Sequence, residues 1–273
     1  TQIFDRGWFR LKNTKHIYHD WKYDGHGWVN VSKAIIVSCD TYFYELAVQM
    51  GIHLMDTTLK QFGFGSITGT DINAELPGIV PSPAWKEAHQ QHPWYTGDTI
   101  ITGIGQGSLL VTPLQLATAT AILAERGYRA QPHLIQSIQP ANQHSTQLHY
   151  PKTQVFKASH SIWQGVISAM QQVISSPHGT AVNFGPHAYT VAGKTGTAQV
   201  FGKTRNEEYV RSNIPKKLRN NHLFIAFAPV AHPKIALAVI IEHAGTADQL
   251  AGKIIQFYFN LKPKAHPREP EHA

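Results

Sequence analysis

The chain has 273 residues, enough for one large domain or two small ones, and 42% of them are hydrophobic, ample for a buried core. No apolar window approaches the length that crosses a bilayer, and the opening Thr1-Gln2-Ile3-Phe4-Asp5 lacks the basic start and apolar stretch of a secretory signal. The formal charge of +7 rests on dispersed lysines and arginines with no nucleic-acid-binding motif, and the single cysteine, Cys39, excludes an internal disulfide while leaving the compartment open.

Residues 1–30 are aromatic and irregular, with Trp8, Phe9, Tyr18, Trp21, Tyr23 and Trp28 spread among glycines and charges, and they predict a loop held by packing. Asp5, Asp20, His26 and Cys39 fall within and just beyond it. Two carboxylates, an imidazole and a thiolate are acceptable zinc ligands, and a metal would fix an irregular segment with four strong bonds. The spacing matches no standard zinc-finger pattern, so the alternative, three surface polar residues and a buried cysteine, stands beside it. The chain's other histidines are scattered and read as surface or packing residues.

Asn30 caps a short helix over 31–37, and a second helix over 40–50 is ended by Gly51. Ser38-Cys39-Asp40 forms the corner between them, where Ser38 or Asp40 is predicted to cap the following amides. A further helix over 55–62 stops at Gly63-Phe64-Gly65, and residues 77–97, with four prolines, read as a loop. Ile104-Gly105-Gln106-Gly107 is neither a P-loop nor a dinucleotide fingerprint, which sets nucleotide binding aside. Thr112 caps and Pro113 opens an apolar helix that runs to about Glu125. Residues 129–151 are polar and weakly strand-like, as in a surface excursion, 159–175 are helical in period, and 178–181 make a turn.

Residues 190–200 form an alternating, β-branched run with Lys194-Thr195-Gly196 inside it. The pattern predicts a strand whose glycines, Gly193 and Gly196, remove side chains where a ligand or another backbone comes close. The Lys194 ammonium with the Thr195 and Thr197 hydroxyls then makes an anion-holding ledge; an ordinary strand with a solvated lysine is the alternative. Lys203, Arg205, Arg211, Lys216, Lys217 and Arg219 follow it, a concentration of charge suited to steering an acidic substrate or an anionic polymer. Strand-like runs at 222–229 and 235–243 form a hairpin through Ala231-His232-Pro233-Lys234, residues 247–259 a helix, and 263–273 a disordered tail. The whole is an α+β domain over 1–262, an antiparallel sheet covered by helices.

Ser38-Cys39-Asp40 at a helix corner, followed much later by Lys194-Thr195-Gly196 on a strand before a hairpin, is similar to the order of two of the three signatures of penicillin-recognising serine transferases: Ser-x-x-Lys, Ser-x-Asn and Lys-Thr-Gly. Asp5-Arg6-Gly7-Trp8, Asp20-Trp21-Lys22, Gly25-His26-Gly27, Asp40-Thr41-Tyr42-Phe43-Tyr44, residues 93–99, Gly103-Ile104-Gly105-Gln106-Gly107 and residues 194–200 resemble the elongation-specific class B group, penicillin-binding protein 2. The likeness runs from about Asp5 to Glu242.

The resemblance implies a penicillin-binding transpeptidase fold, like that of serine β-lactamases. It implies a periplasmic D,D-transpeptidase domain held at the inner membrane by an upstream anchor, which cross-links peptidoglycan stem peptides ending in D-Ala-D-Ala and is acylated by β-lactams. Ser38, Asp40 and Lys194 are then catalytic, Thr195, Gly196 and Thr197 hold substrate, and the Thr197 N–H is half of the oxyanion hole. A membrane-embedded glycan polymerase of the SEDS family is the implied partner. The resemblance also implies a structural zinc on Asp5, Asp20, His26 and Cys39, bracing the corner from behind.

Two departures stand out. Asp40 replaces the usual asparagine and cannot donate to a substrate carbonyl. None of the thirteen serines is followed three residues on by lysine, so the nucleophile and its base are expected outside this chain, which by itself is then inactive. A β-lactam-sensing or β-lactamase-like relative and a non-catalytic interaction domain of the same fold are the rival readings.

Overall fold

The computed structural model describes residues 1–141, 144–185, 187–200, 214–243 and 245–260. Lys203, Arg205 and Arg211 of the basic run, and the tail expected at 263–273, lie outside the described residues.

The sheet that organises the chain has three antiparallel strands, β9 (Ala192–Ala198), β10 (Asn221–Ala228) and β11 (Ile235–Ile241), in the order β11-β10-β9. Its register pairs Thr197 with His222 and Ile225 with Lys194, and β9 is an edge. Alternation along β10 explains the layers. Phe224, Ala226 and Ala228 join Leu237 and Val239 in a core closed by Ala247, Ala251 and Ile255 of the C-terminal helix α7 (Ala247–Asn260). Phe227 instead packs with Ala124 of α5 (Pro113–Ala124) and with Ile167 and Met170 of α6 (His160–Ser175).

The capping signals act as their chemistry requires. Asn30 accepts from Lys33 N–H before α1 (Val31–Val37), Ser159 accepts from Ile162 N–H before α6, and Thr112 with Gln115 forms a reciprocal capping box at the Pro113 helix start. Gly51 ends the helical stretch that begins at Asp40, as the sequence predicts, and a second stretch follows it. The helix α2 spans Asp40–Gln61 and kinks at Gly51, where φ 70° and ψ 162° break the helical path and the chain resumes beyond.

Two segments expected as loops carry structure. Residues 1–30 form two ribbons, β1 (Gln2–Asp5) on β4 (Gly27–Asn30) and β2 (Trp8–Phe9) on β3 (Tyr18–His19). Their strands are too short to show periodicity, and tertiary contacts decide them. The proline-rich stretch 77–97 contains α3 (Pro83–Gln90), with Ser82 accepting from Trp85 N–H and Pro83 in the first turn, where its missing N–H costs nothing. A short helix α4 (Thr96–Thr102) follows, and among its described residues the excursion 129–151 contributes only two-residue strands.

Candidate functional site

The first half of the site is the corner between α1 and α2. Ser38 adopts the left-handed conformation (φ 56°, ψ 49°) as the C-cap of α1, and its N–H and that of Cys39 both reach Ala34 O. A non-glycine residue held there is a strained position fixed by its surroundings. Trp21 supplies much of that fixing: its indole N–H donates to Val37 O at 3.1 Å and to Ser38 O at 2.9 Å, and its main-chain N–H donates to Asp40 Oδ2 at 3.2 Å. Neither Ser38 nor Asp40 caps α2. Asp20 does so from the N-terminal segment, accepting Thr41 N–H on Oδ2 at 3.0 Å.

The second half is β9. Lys194 Nζ donates to Ser38 Oγ at 2.8 Å across 156 residues of sequence, and to Thr195 O at 2.9 Å. Burial pulls the Lys194 ammonium down to about 8, against the opposing pull of the Asp40 charge. Asp40 is pushed up to about 7, first by burial and then by the Asp20 charge, against the lowering effects of Trp21 N–H and Lys194. Thr195 Oγ1 lies 2.8 Å from Thr180 Oγ1, so a residue of the turn after α6 orients the ledge hydroxyl.

Gly193 and Gly196 differ in purpose. A Cβ on Gly193 would stand 2.6 Å from the Phe224 ring, so this glycine serves the core and not a ligand. One on Gly196 would meet Leu223 at an ordinary 3.4 Å.

Behind the corner, the ligand-bearing atoms of Asp5, Asp20, His26 and Cys39 all lie within 4.8 Å of one another. His26 Nδ1 is 2.8 Å from Asp5 Oδ2 and 3.6 Å from Asp20 Oδ1, and Cys39 Sγ is 3.4 Å from Asp5 Oδ2. Tetrahedral zinc with bonds of about 2.0–2.3 Å separates its ligands by about 3.3–3.6 Å; the donor set fits that ion, the 3.4 Å and 3.6 Å separations match, and the 2.8 Å His26–Asp5 contact is a hydrogen bond that would have to open. Asp5 and Asp20 are 1% and 3% exposed, and among the described residues their only ion-pair partner is the half-buried His26. Buried carboxylates so placed lack a full countercharge.

Burial would raise the Asp5 carboxyl, but hydrogen bonds from Gly7 N–H and from His26 outweigh it and leave the group below its usual range. Burial also pushes the Cys39 thiol up, with the Asp20 and Asp5 charges adding to the rise. A divalent cation reverses that balance by favouring thiolate. The loops that present the quartet interlock at Gly7 (φ 89°) and Gly25 (φ 70°), where a Cβ would overlap Tyr23 O and Asp5 O respectively.

Three residues of the site were given no role by the sequence: Trp21 and Gln106, which it marked only as parts of motifs, and Thr180, which it placed in a turn. Gln106 sits in the loop after α4, between Gly105 and Gly107, both at φ 75°. Its Nε2 donates to Thr197 O at 2.6 Å and its Oε1 accepts from Gln199 N–H at 3.2 Å. A glutamine between two glycines was the available signal, since such a loop brings a side-chain amide close to another backbone.

Residues 1–257 match the family described as the penicillin binding protein transpeptidase domain. A peptidoglycan D,D-transpeptidase MrdA from Acinetobacter baumannii is 41% identical over 99% of this chain and 40% of its own length. A crystal structure of Pseudomonas aeruginosa PBP2 in complex with WCK 5153 is similar with a TM-score of 0.79 and 35% identity, covering 99% of this chain and 57% of that one. A complex between PBP2 and MreC from Helicobacter pylori has a TM-score of 0.79 and 33% identity, covering 94% and 44%. The chain thus spans about 40% of the length of the curated relatives it matches.

Proposed function

Because the chain belongs to the penicillin-binding protein transpeptidase domain family, we propose that it forms the substrate-holding and proton-transfer part of a peptidoglycan D,D-transpeptidase. The observation that carries this reading is the 2.8 Å hydrogen bond from Lys194 Nζ to Ser38 Oγ, which joins the two signature triplets in one proton path. A serine ester forms at the penultimate D-Ala carbonyl as the C–N bond to the terminal D-alanine breaks. Ser38 Oγ–H gives its proton to the departing nitrogen and takes one back from the Lys194 ammonium, and the proton released by the attacking serine restores the ammonium, so that none is gained or lost overall. An amine of a second stem peptide then displaces the ester and restores the serine.

The terminal carboxylate lies against Lys194 and the Thr195 and Thr197 hydroxyls at Gly196, with Thr195 oriented by Thr180. Thr197 N–H donates to the developing oxyanion. Asp40, where the general pattern has asparagine, receives Trp21 N–H and tunes Lys194 by its charge. The same site takes β-lactams, whose ring amide and carboxylate imitate the substrate's end. Among the 273 residues there is no Ser-x-x-Lys pair, and none of them is assigned as nucleophile.

Asp5, Asp20, His26 and Cys39 hold a structural zinc. Four protein ligands close the site, so the ion supplies rigidity and no bound water. The donor set, its spacing and the uncompensated buried carboxylates support this. The protein works at the periplasmic face of the inner membrane, tethered by an anchor; among the described residues no helix is long and apolar enough to cross a membrane. A SEDS-family glycan polymerase of the elongation machinery is its partner; one similar protein is solved with MreC.

The test gives the full-length protein carrying these residues a pentapeptide ending in D-Ala-D-Ala and an amine acceptor. Release of D-alanine with formation of the new amide supports the reading. Multiple-turnover hydrolysis of a β-lactam without amide formation favours the β-lactamase-like alternative, and absence of both favours an interaction domain.

A further inference from the structure

Gln106 is bound to the edge that the substrate needs. Thr197 C=O and Gln199 N–H both meet its side-chain amide, and β9 is the sheet edge, so these groups point away from β10. In an extended strand the N–H and C=O of one residue project to the same side, which puts the Thr197 N–H on this edge as well. Two directly opposed residues in a hydrogen-bonded antiparallel pair exchange both of their backbone bonds. A peptide residue whose scissile C=O meets Thr197 N–H therefore aims its own N–H at Thr197 C=O. That acceptor is held by Gln106 Nε2.

We infer that Gln106 is a surrogate strand: its amide stands in for the amide of the substrate's penultimate residue on Thr197 and is displaced when an extended stem peptide adds to β9. The inference rests on the transpeptidase reading above. A primary amide is the side chain with both a donor and an acceptor in peptide-like geometry, and Gln106 uses each on the backbone group that a neighbouring strand would use. The contacts are exposed, and although the Gln106 N–H stays bonded to Ile101 O, a Cβ on the adjoining Gly105 would meet nothing within 4 Å, so the side chain has open space beside it to swing away. The consequence is selectivity: a ligand that offers an amide N–H to Thr197 C=O must compete with Gln106, whereas a ligand without one need not.

The experiment measures second-order acylation of the full-length protein carrying these residues by two ligands, a penicillin with an acylamino side chain and a carbapenem whose hydroxyethyl side chain has no amide N–H. Gln106→Ala raises the penicillin-to-carbapenem rate ratio about fivefold, the equivalent of one modest hydrogen bond released from competition. Gln106→Glu keeps the acceptor for Gln199 N–H but loses the donor to Thr197 C=O. Its added charge falls on both ligands alike, so the ratio rises here too. An unchanged ratio in both variants, or an equal fall in both rates, means that Gln106 only fastens the loop and overturns the inference while the transpeptidase reading stands. A wild-type protein acylated by neither ligand overturns both.

Discussion

Asp20 serves two masters on its two oxygens, and substitution separates them. Oδ2 accepts Thr41 N–H at 3.0 Å and caps α2, whose own N-cap residue, Cys39, makes no side-chain cap bond. Oδ1 accepts Lys22 N–H at 3.0 Å and faces His26 Nδ1 at 3.6 Å. Asp20→Asn keeps a neutral acceptor for the cap and removes the anionic ligand of the proposed zinc site, whereas Asp20→Ala removes both. Loss of the cap costs about 1 kcal/mol. Zinc at a thousandfold excess over its Kd adds about 4 kcal/mol to folding stability. Urea unfolding in buffered zinc and in chelator reads the two effects apart. In zinc, Asp20→Asn falls to the level of the chelated wild type, a loss of about 4 kcal/mol, and Asp20→Ala falls about 1 kcal/mol further. In chelator, wild type and Asp20→Asn lie within about 1 kcal/mol of each other. A wild-type midpoint indifferent to chelator refutes the metal brace, and equal losses for the two variants refute the cap.

Gly193→Ala drives a methyl to 2.6 Å from the buried Phe224 ring and lowers stability by about 1–3 kcal/mol in the same unfolding assay, while Gly196→Ala, at 3.4 Å from Leu223, stays within about 0.5 kcal/mol; similar losses for both contradict the core role of Gly193. Burial holds Lys194 down to about 8, so the charge that attracts a carboxylate is fully present below that pH and is lost as pH rises through it. Affinity for an acetylated D-Ala-D-Ala ligand, measured by calorimetry, therefore falls above about pH 8 by up to about tenfold per unit, and a flat profile contradicts the assignment. Thr180→Val releases Thr195 Oγ1 and weakens the same ligand about fivefold with an unchanged melting temperature; unchanged affinity contradicts the orienting role.

The elements that carry strong local chemistry were legible in the sequence. Asn30, Thr112-Pro113 and Ser159 mark helix starts because their side chains satisfy the first free amides, and the β-branched run around Lys194 marks the edge strand. The ribbons of residues 1–30 were not, because two- to four-residue strands are fixed by contacts distant in sequence. Gly51 was legible as the break between the two helical stretches of α2, whereas Pro83 misled, because it opens a helix from within a proline-rich stretch. At the site, the Ser38 and Lys194 triplets and the cluster of Asp5, Asp20, His26 and Cys39 stand out by residue type. Their supports do not, since Trp21 reaches 17 residues, Thr180 reaches 15 and Gln106 reaches 91 before making its contact. Asp20 as the cap of α2 was hidden for the same reason, its partner lying 21 residues on.

Intact-mass spectrometry with penicillin tests the central claim, that Ser38 and Lys194 form the proton path of a serine transpeptidase. The full-length protein carrying these residues gains the mass of one penicillin, Lys194→Ala gains it more slowly by about a hundredfold or more, and the isolated 273-residue chain gains none. A full-length protein that takes up no penicillin, or a Lys194→Ala variant labelled at the wild-type rate, contradicts it.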